Sequence, residues 1–466
     1  MKKLTIKEIL DAVNGKLIAG NEEAFITGVS TDSREVKAGD AFFAIKGVTH
    51  DAHKFLGMAL ENGCETLIIS DDSKLPTADV LKEKNANVVL VEDTLKALQM
   101  LAKYYIGTLP LKKKIAVTGS VGKTSTRDML YYVASTKYRT GRNMKNYNNE
   151  IGLPLTVLSL DEDLEVVVLE MGMDSFGEID TLADIVRPDI AVITNVGISH
   201  IENLGSREGI LKAKMEITNY FNEDSVLIVN QSCDMLEKKN VEGDYRTVTV
   251  GKDGKSEFIV SNVCDFGDKG IKYTLDRNHK QYEVSLPLPG AHNALNATLA
   301  VAAGEVLGIS TEDAIKGLAE AQLTARRLNI RGKDGIKVID DSYNACPDSM
   351  KSAVNTLVAT KGIRKVAVLG DMYELGPDSN IFHREVGEYA GEKNVDLLVA
   401  VGADGAENLA AGAREKLGND KVMYFATKAE FLADMDKIIG PGDVVLVKAS
   451  LGMAMDQIVK AILKEN

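Results

Sequence analysis

Short runs of β-branched and other apolar residues recur through the second and third parts of the chain. They lie at 115–117, 165–169, 189–195, 225–230, 365–370, 396–402 and 443–448. Continuous apolar runs of this length are typical of strands buried on both faces, and the segments between them have helical spacing. This alternation predicts two α/β units, each built on a parallel sheet with right-handed crossovers.

The pattern differs in two other places. The first part of the chain is less regular, and we expect a mixed α/β unit there. Between 251 and 289 polar and apolar residues alternate, as in SEFIVSNV and KYTLDRNHKQYEVSL. Alternation with period two predicts antiparallel strands, placed as a hairpin at an edge of the middle sheet.

Two segments have the composition of linkers between domains. Residues 107–114 contain a proline and a lysine run, and residues 321–335 are basic and contain glycine. Cutting there gives predicted domains of 1–109, 110–324 and 325–466. The total of 466 residues agrees with this division, because domains average about 150 residues.

Composition narrows the functional class. Apolar residues make up 45% and charged residues 26%, as in ordinary globular proteins. The net charge of -13 argues against a protein that coats nucleic acid or an anionic membrane. No segment approaches about 18 consecutive uncharged apolar residues, and the N-terminal segment lacks a continuous apolar core. The four cysteines are far apart and are expected to be reduced thiols, which indicates a cytoplasmic enzyme or binding protein.

A glycine-containing loop follows the first strand of the middle part. Its sequence is TGSVGKTST (118–126), and a helical pattern comes directly after it. Glycines let backbone amides turn towards phosphate oxygens, the lysine neutralises charge, and the threonine hydroxyl can bind Mg²⁺. The first glycine of a full Walker A motif is missing, so an ordinary strand–helix turn is the alternative. The context favours a nucleotide-binding P-loop formed by Gly119, Ser120, Val121, Gly122, Lys123, Thr124 and Ser125.

The next two strands deliver polar side chains to the same edge of the predicted sheet. Glu170 ends the second strand, and the third strand is followed by Asn195 and His200. Ligands of open α/β sheets bind at this edge, and a carboxylate facing a P-loop is a natural Mg²⁺ ligand. Taken singly, Glu170 could be an exposed strand-end acid and His200 a surface histidine. Their shared edge favours a metal site.

Lys214 occupies an unusual position in the predicted helix 209–221. It falls on the stripe formed by Ile210, Ile217 and Phe221, where a charged group is disfavoured. One interpretation is a side chain whose stem is buried and whose amine reaches water. The other is an amine with a lowered pKa, which CO₂ could carbamylate to an anion near the metal.

These features together resemble the ATP-dependent Mur ligases, cytoplasmic enzymes that build the peptide stem of peptidoglycan. The resemblance covers essentially the whole chain and includes the P-loop, Glu170, NVGISHIENLGS (195–206), LKAKMEI (211–217) and PGAHNALNATLA (289–300). Three more motifs are similar to the branch that joins D-Ala-D-Ala to UDP-MurNAc-tripeptide through an acyl phosphate. They are NYNNEIGLPLTVL (146–158), DDSYNACPDSM (340–350) and LGDMYELG (369–376).

The resemblance implies a role for each domain. The first would bind the UDP-sugar, the central P-loop domain would bind ATP on a parallel sheet, and a Rossmann-like C-terminal domain would bind the acceptor amine and close on ATP. It implies Mg²⁺ held by Thr124, Glu170, His200 and a carbamylated Lys214, with Lys123, Glu170, His200 and Lys214 as the catalytic set. Beyond the P-loop, it implies nucleotide contacts from His292, Asn293, Asn296, Arg327 and Asp341.

The same resemblance implies where the other substrates bind. The UDP-sugar end would meet a donor-rich run, which without the resemblance is more typical of a turn or helix cap. This run and the nearby glycine comprise Ser30, Thr31, Asp32, Ser33, Arg34 and Gly47. The peptide arm and acceptor would meet Asn146, Asn148, Asn149, Ser342, Tyr343 and Asn344. We expect a monomer with no nucleic-acid partner and no membrane insertion.

The chain departs from the family pattern at three positions. Ala52 replaces a glycine, Cys346 replaces an asparagine, and Leu451 stands where the family carries an arginine. The last change leaves open altered dipeptide binding or a different acceptor amine. The general base cannot be assigned from sequence, and His383 is a weak candidate.

Four alternatives explain parts of the pattern. A sibling ligase that carries a D-N-P-R motif is disfavoured because the motif is absent from this sequence. Folylpolyglutamate synthases share the last two domains but lack the first. A nucleotide-dependent switch needs no second metal site, and a small-molecule kinase needs no UDP-binding domain. The ligase therefore accounts for most of the features.

Overall fold

The computed structural model describes residues 1–47, 49–143, 146–322 and 324–465. Leu323, within the second predicted linker, lies outside the described residues. The described strands form three large sheets and one two-stranded pair. The predicted division at 109/110 and 324/325 stays a prediction, but each large sheet draws its strands from one of the three parts.

The first sheet is mixed, as expected. Its order is β2-β7-β6-β5-β4, with β2 antiparallel to β7 and the other pairs parallel, while β1 pairs with β3. The strands are β1 Leu4–Thr5, β2 Lys16–Ala19, β3 Phe25–Ile26, β4 Gly28–Ser30, β5 Asp40–Phe43, β6 Thr66–Ile69 and β7 Asn87–Leu90. The helices are α1 Ile6–Val13, α2 Leu56–Glu61, α3 Ala78–Glu83 and α4 Thr94–Thr108.

The middle sheet has the order β16-β15-β14-β13-β12-β11-β8-β10-β9. Its strands are β8 Lys113–Thr118, β9 Thr140–Arg142, β10 Val166–Glu170, β11 Ile190–Ile193, β12 Val226–Asn230, β13 Arg246–Gly251, β14 Phe258–Asp265, β15 Ile271–Arg277 and β16 Lys280–Leu286. Neighbours from β9 to β14 are parallel, and β14, β15 and β16 are antiparallel. The predicted antiparallel edge is therefore confirmed.

Seven helices accompany the described part of this sheet. They are α5 Lys123–Ser135, α6 Gly152–Leu158, α7 Glu178–Val186, α8 Ile201–Leu204, α9 Arg207–Met215, α10 Asn293–Val306 and α11 Thr311–Ala319. The helix predicted to reach residue 221 ends earlier. After α9 the chain tightens into a 3₁₀ turn at Glu216–Thr218, which is common where a helix ends and where β-branched residues crowd the preceding turn.

The third sheet has the order β17-β18-β22-β19-β20-β21, parallel except for β17. Its strands are β17 Asn329–Lys333, β18 Ile336–Asp340, β19 Arg364–Gly370, β20 Leu397–Val401, β21 Val422–Phe425 and β22 Asp443–Lys448. The helices are α12 Pro347–Ala359, α13 Ser379–Glu392, α14 Ala406–Leu417, α15 Lys428–Ile438 and α16 Asp456–Leu463. This is the Rossmann-like arrangement that was expected.

Both faces of the middle and third sheets are covered, which explains the continuous apolar runs. On β10, Val167 and Leu169 belong to one apolar cluster while Val166 and Val168 belong to another. The first of these clusters continues from Leu4 through α4 into the middle sheet, so the first and middle parts share a core. Within the described residues, no helix combines the length and apolar character needed to cross a bilayer.

Candidate active site

The strand order of the middle sheet creates a crevice at its carboxyl edge. β8 lies between β10 and β11, and the chain continues outward on one side through β9 and on the other through β12. Ligands of open α/β sheets bind where the strand order reverses in this way. The P-loop leaves β8 at this point and leads directly into α5, so its backbone amides line the crevice.

Two glycines of the P-loop have backbone conformations that exclude a side chain. Gly119 has φ of 152°, and a Cβ there would lie 1.9 Å from the hydroxyl oxygen of Thr194. Gly122 has φ of 86° and precedes the first residue of α5. The loop is also braced from β11, because Val121 N–H donates to Asn195 Oδ1 at 2.8 Å. The loop is therefore held in shape without a ligand.

Lys123 folds back over this loop. Its Nζ donates to the carbonyl oxygens of Gly119 at 2.7 Å and Ser120 at 3.4 Å. Burial lowers the pKa of Lys123, since an ammonium group loses solvation there. An anion bound in the loop would restore the favourable environment for this charge.

Glu170 is the best-connected acid of the crevice, and it is buried. Its Oε2 accepts from Thr124 Oγ1 at 2.8 Å and lies 3.5 Å from Nη1 of Arg127. Its Oε1 accepts from Asn148 Nδ2 at 2.7 Å, and its backbone N–H donates to Asn143 Oδ1 at 2.7 Å. The structure thus brings the predicted metal ligands Thr124 and Glu170 into contact.

Lys214 is buried, with 2% of the residue exposed. Among the residues that the structure describes, its amine has no hydrogen-bond or ion-pair partner. Burial lowers the pKa of Lys214 well below its ordinary value, and the nearby Lys123 charge lowers it further. This burial favours the interpretation in which the amine has a lowered pKa, and carbamylation of the amine stays a prediction.

His200 contacts acids from both sides of the crevice. Its Nδ1 lies 2.6 Å from Oε2 of Glu374 and 3.2 Å from Oδ1 of Asp174. This contact lowers the pKa of Glu374, which belongs to the LGDMYELG motif of the third part. His200 therefore lies at a junction between the middle and third parts.

The third sheet presents its own carboxyl edge to the crevice. Asp341 follows β18 and Lys448 ends β22, the neighbouring strand, so the two side chains meet. Their Nζ–Oδ2 distance is 2.6 Å, and both are buried. Lys448 also donates to the carbonyl oxygen of Asn344 at 2.7 Å, while Asp341 Oδ1 accepts from Leu328 N–H at 3.1 Å. Lys448 was not predicted from the sequence.

Arg327 and Tyr343 form a second cationic feature of the crevice. The Arg327 guanidinium carbon lies 4.0 Å from the Tyr343 ring centroid, in a cation–π arrangement. Burial raises the pKa of Tyr343, and its hydroxyl contacts the side chain of Asn146. Residues from the middle and third parts therefore line one cavity, among them Ser120, Val121, Gly122, Lys123, Thr124, Ser125, Asn148, Asn149, Glu170, His200, His292, Arg327, Asp341, Tyr343 and Asn344.

The predicted adenine-facing residues divide into two groups. His292 lines the cavity, and burial lowers its pKa. Asn293 and Asn296 are buried in the first turns of α10, where Asn293 donates to the carbonyl oxygen of Pro289 at 2.7 Å and Asn296 donates to Asn293. Asn296 also packs against Gly122, because a Cβ added at that glycine would lie 3.0 Å from the amide atoms of the Asn296 side chain. The two asparagines thus buttress the P-loop, and a contact of either with adenine stays a prediction.

Other predicted substrate residues lie outside the lining of this cavity. Ser342 is buried and donates to Asp340 Oδ1 at 2.6 Å. Ser30 ends β4 of the first sheet, and residues 31–34 and Gly47 lie in the loops that follow β4 and β5, where Asp32 and Arg34 form an ion pair of 2.6 Å. The Arg34 hydrogen bond holds the pKa of the Asp32 carboxyl at about 2, while Arg34 itself is largely exposed. Arg34 remains accessible to an anion.

The donors that the structure gathers fit Mg²⁺. Mg²⁺ prefers oxygen ligands, and the Thr124 hydroxyl and Glu170 carboxylate offer two, 2.8 Å apart, beside the P-loop. Lys214 as an amine is not a Mg²⁺ ligand, although its carbamate would provide oxygens. His200 faces the same cavity but is engaged by acids, so its part in a metal site stays a prediction.

His383, the weak candidate for a general base, has a structural role. It is fully buried in α13, where its Nδ1 donates to the carbonyl oxygen of Ser379 at 2.7 Å and its Nε2 accepts from Met372 N–H at 2.8 Å. Both ring nitrogens are therefore used in the fold. Its neighbour Asp371 accepts four backbone N–H groups at the start of α14, which fixes the loop that carries Glu374.

Three family models match successive parts of the chain. The Mur ligase family catalytic domain matches residues 25–106, the Mur ligase middle domain residues 117–304, and the Mur ligase glutamate ligase domain residues 326–451.

Individual proteins are similar over their whole length. The UDP-N-acetylmuramoyl-tripeptide–D-alanyl-D-alanine ligase of Bacillus subtilis strain 168 is 39% identical, with 100% of this chain and 99% of that protein covered. A crystal structure of MurF from Acinetobacter baumannii is 32% identical, covers 100% of both chains and has a TM-score of 0.88. A MurF ligase from Thermotoga maritima in complex with ADP is 29% identical, covers 94% of this chain and 97% of that one, and has a TM-score of 0.81.

The burial of His383 predicts a loss of stability in mild acid. Burial lowers its pKa below the ordinary value of 6.5, so the unfolded chain binds a proton more readily than the folded chain. The stabilisation is complete above about pH 6.5 and is lost as pH falls towards the lowered pKa of the folded state. Urea unfolding followed by circular dichroism at pH 7.5 and 5.5 measures this change.

His383→Gln should be less stable at pH 7.5 yet lose less stability between pH 7.5 and 5.5 than the unaltered chain. His279→Gln, which alters an exposed histidine between β15 and β16, is the matched control and should keep the original pH dependence. An equal pH dependence in His383→Gln and the unaltered chain would show that this histidine is not responsible.

Proposed function

The chain belongs to the Mur ligase family, and on that premise we propose that it builds its product in the cavity described above. The enzyme joins D-Ala-D-Ala to the terminal carboxylate of UDP-MurNAc-tripeptide at the expense of ATP, a step of peptidoglycan synthesis. The observation that carries the assignment to this cavity is the convergence of the P-loop, the Thr124–Glu170 pair and the cations of the third sheet. We place the reaction in the cytoplasm and the active enzyme as a monomer.

ATP binds with its phosphates in the P-loop. Gly119 and Gly122 allow close approach of backbone amides, the start of α5 adds partial positive charge, and Lys123 turns from carbonyl oxygens to the phosphates. Arg327 reaches the phosphates from the other side of the cavity. His292 and Asp341 complete the nucleoside side, and the Asp341–Lys448 ion pair keeps the acid oriented.

Magnesium would be held by Thr124, Glu170 and a modified Lys214, with His200 at the outer side of the site. When bound, Mg²⁺ withdraws electron density from the phosphate oxygens. The protein adds the fixed charges of Lys123 and Arg327, which stabilise the charge that spreads over the transferred phosphoryl group. These cations lie on opposite walls of one cavity, so they act together only when the middle and third parts are closed.

The reaction proceeds by two displacements. A carboxylate oxygen of the tripeptide attacks the γ-phosphorus, the bond to ADP breaks, and an acyl phosphate forms. The amine of D-Ala-D-Ala then attacks the acyl carbon, loses a proton and expels inorganic phosphate. Asn146, Asn148 and Asn149 hold the peptide arm, and Tyr343 and Asn344 border the acceptor side. Positioning supplies much of the rate enhancement, because ATP provides the activation.

The first sheet binds the UDP end of the substrate. The site would comprise Arg34, an exposed arginine whose guanidinium is paired at one side with Asp32, together with Ser30, Thr31, Ser33 and Gly47. A pyrophosphate bound there would share this cation. The adenine contacts of Asn293 and Asn296 and the acceptor contact of Ser342 belong to the same proposal, although all three side chains are buried.

The surroundings of Lys214 support its carbamylation. A neutral amine is the nucleophile that reacts with CO₂, and burial favours the neutral amine. Carbamylation converts a partnerless buried group into an anion beside Lys123 and a bound metal. This change would remove the repulsion between Lys214 and Lys123.

One assay tests the function as a whole. Purified enzyme, ATP, Mg²⁺, UDP-MurNAc-tripeptide and D-Ala-D-Ala should give phosphate and a pentapeptide product of the expected mass only when both cosubstrates are present. Lys123→Met is the inactive control. Phosphate release with a different amine, but none with D-Ala-D-Ala, would contradict the acceptor assignment. This outcome is tested because Leu451 stands where the family carries an arginine.

Lys214→Ala should lower kcat by at least about 100-fold, because the metal loses a ligand. Short carboxylates such as acetate should restore part of the activity, about tenfold, by entering the space of the carbamate. Lys212→Ala, an exposed lysine on the same helix, is the matched control and should stay within about twofold of the unaltered enzyme. Full activity of Lys214→Ala would remove the carbamate from the mechanism.

A further inference from the structure

Two buried charges follow the P-loop on α5 and have no part in the chemistry above. Arg127 is 1% exposed and Asp128 is not exposed at all. Burying a charge is unfavourable unless it is fully paired. Asp128 Oδ1 accepts from Arg127 Nη2 at 2.6 Å and from Arg142 Nη1 at 2.9 Å, which pairs one of its oxygens within the middle part.

The other oxygen of Asp128 binds the connection to the third sheet. Its Oδ2 accepts from both the backbone N–H and the hydroxyl of Thr324, each at 2.8 Å. Arg127 Nη2 donates to the same hydroxyl oxygen at 2.8 Å. Thr324 therefore makes three hydrogen bonds with two buried charged residues of α5, the helix that follows the P-loop.

The chain from Thr324 to Leu328, which we term the strap, is held at both ends. Leu328 N–H donates to Asp341 Oδ1 at 3.1 Å, at the edge of the third sheet. Within the strap, Arg326 and its last residue, Leu328, have φ of 63° and 51°, left-handed conformations that such residues adopt only when their surroundings impose them. Two residues of the strap, Arg327 and Leu328, line the cavity beside the nucleotide loop, and Arg327 is the charged one of the two.

We propose that Arg127 and Asp128 are positioning residues that, through Thr324, fasten the strap to the P-loop helix and so hold Arg327 at the nucleotide phosphates. The inference rests on the proposed function, in which Arg327 binds those phosphates. Because Arg127 also lies 3.5 Å from Glu170, the same pair joins the strap to the carboxylate proposed to bind Mg²⁺. Formation of the metal–nucleotide site and placement of Arg327 are then coupled.

The test is a double-mutant cycle on nucleotide binding. Thr324→Val keeps the backbone N–H and the size of the side chain but removes the hydroxyl, and Arg327→Ala removes the group that it positions. Affinity for a fluorescent, non-hydrolysable ATP analogue with Mg²⁺ should fall about fivefold in Thr324→Val, the effect of about one hydrogen bond. In the Arg327→Ala background, Thr324→Val should cause no further loss beyond about twofold.

Thr108→Val is the matched control. Thr108 lies in the other connection of the chain, where its hydroxyl donates to the carbonyl oxygen of Tyr105 at 2.8 Å, and its loss should leave nucleotide affinity unchanged. Additive effects of Thr324→Val and Arg327→Ala, or an unchanged affinity in either single variant, would overturn the proposal.

A second readout does not depend on nucleotide affinity. Trypsin should cleave after Arg326 about fivefold faster in Thr324→Val than in the unaltered enzyme or Thr108→Val, because the strap is released at one end. Equal rates of cleavage after Arg326 in Thr324→Val and in the unaltered enzyme would overturn the proposal. A folding defect elsewhere in the variant would not change this conclusion. Neither readout uses the tripeptide or D-Ala-D-Ala, so coupling without ligase turnover would count against the proposed function and not against the strap.

Discussion

The constraint on the site is that two neighbouring lysines, Lys123 and Lys214, form no ion pair with a carboxylate among the described residues. Lys214 is buried close enough to Lys123 for the Lys123 charge to lower its pKa, and the hydrogen bonds of Lys123 go to carbonyl oxygens. The carboxylate of Glu170 is already shared among Thr124, Asn148 and Arg127. We propose that two anions complete this site, a polyphosphate of ATP and a carbamate on Lys214.

The arrangement of the sheets brings the charged groups of the site to the carboxyl edge of the middle sheet. The parallel sheet places β8, β10 and β11 so that the P-loop, Glu170 and the loop of His200 meet. The third sheet brings its own carboxyl edge to the same place, with Arg327, Asp341 and Lys448 on the opposite wall. A net charge of -13 is compatible with anionic substrates, because Lys123, Arg327 and Lys448 concentrate positive charge inside the cleft.

Much of the fold was predictable because its signals are local and strong. Continuous apolar runs predicted both parallel sheets, and alternation predicted the antiparallel edge formed by β14, β15 and β16. Periodicity also placed Lys214 on a buried stripe, and the structure confirms its burial. The end of α9 was placed too late, since its last residues tighten into a 3₁₀ turn that the apolar spacing does not reveal.

Contacts between distant parts of the chain could not be predicted in the same way. Lys448 meets Asp341 because β22 lies next to β18, and the sequence of neither segment alone determines the order of the strands. The contact of His200 with Glu374 and the hold of Asp128 on Thr324 depend on how the third part docks. A signal existed for Asp128, since a charged residue lies among Met129, Leu130 and other buried positions of α5, but its partner was 196 residues away.

Under the proposed function, ATP activates the tripeptide carboxylate inside this cleft. The most direct measurement uses UDP-MurNAc-tripeptide with ¹⁸O in both oxygens of its terminal carboxylate, and mass spectrometry of the phosphate released with D-Ala-D-Ala. An acyl phosphate transfers one carboxylate oxygen to phosphorus, so each phosphate should carry one ¹⁸O and the amide product should keep the other. Unlabelled phosphate accompanying formation of the pentapeptide would contradict the account.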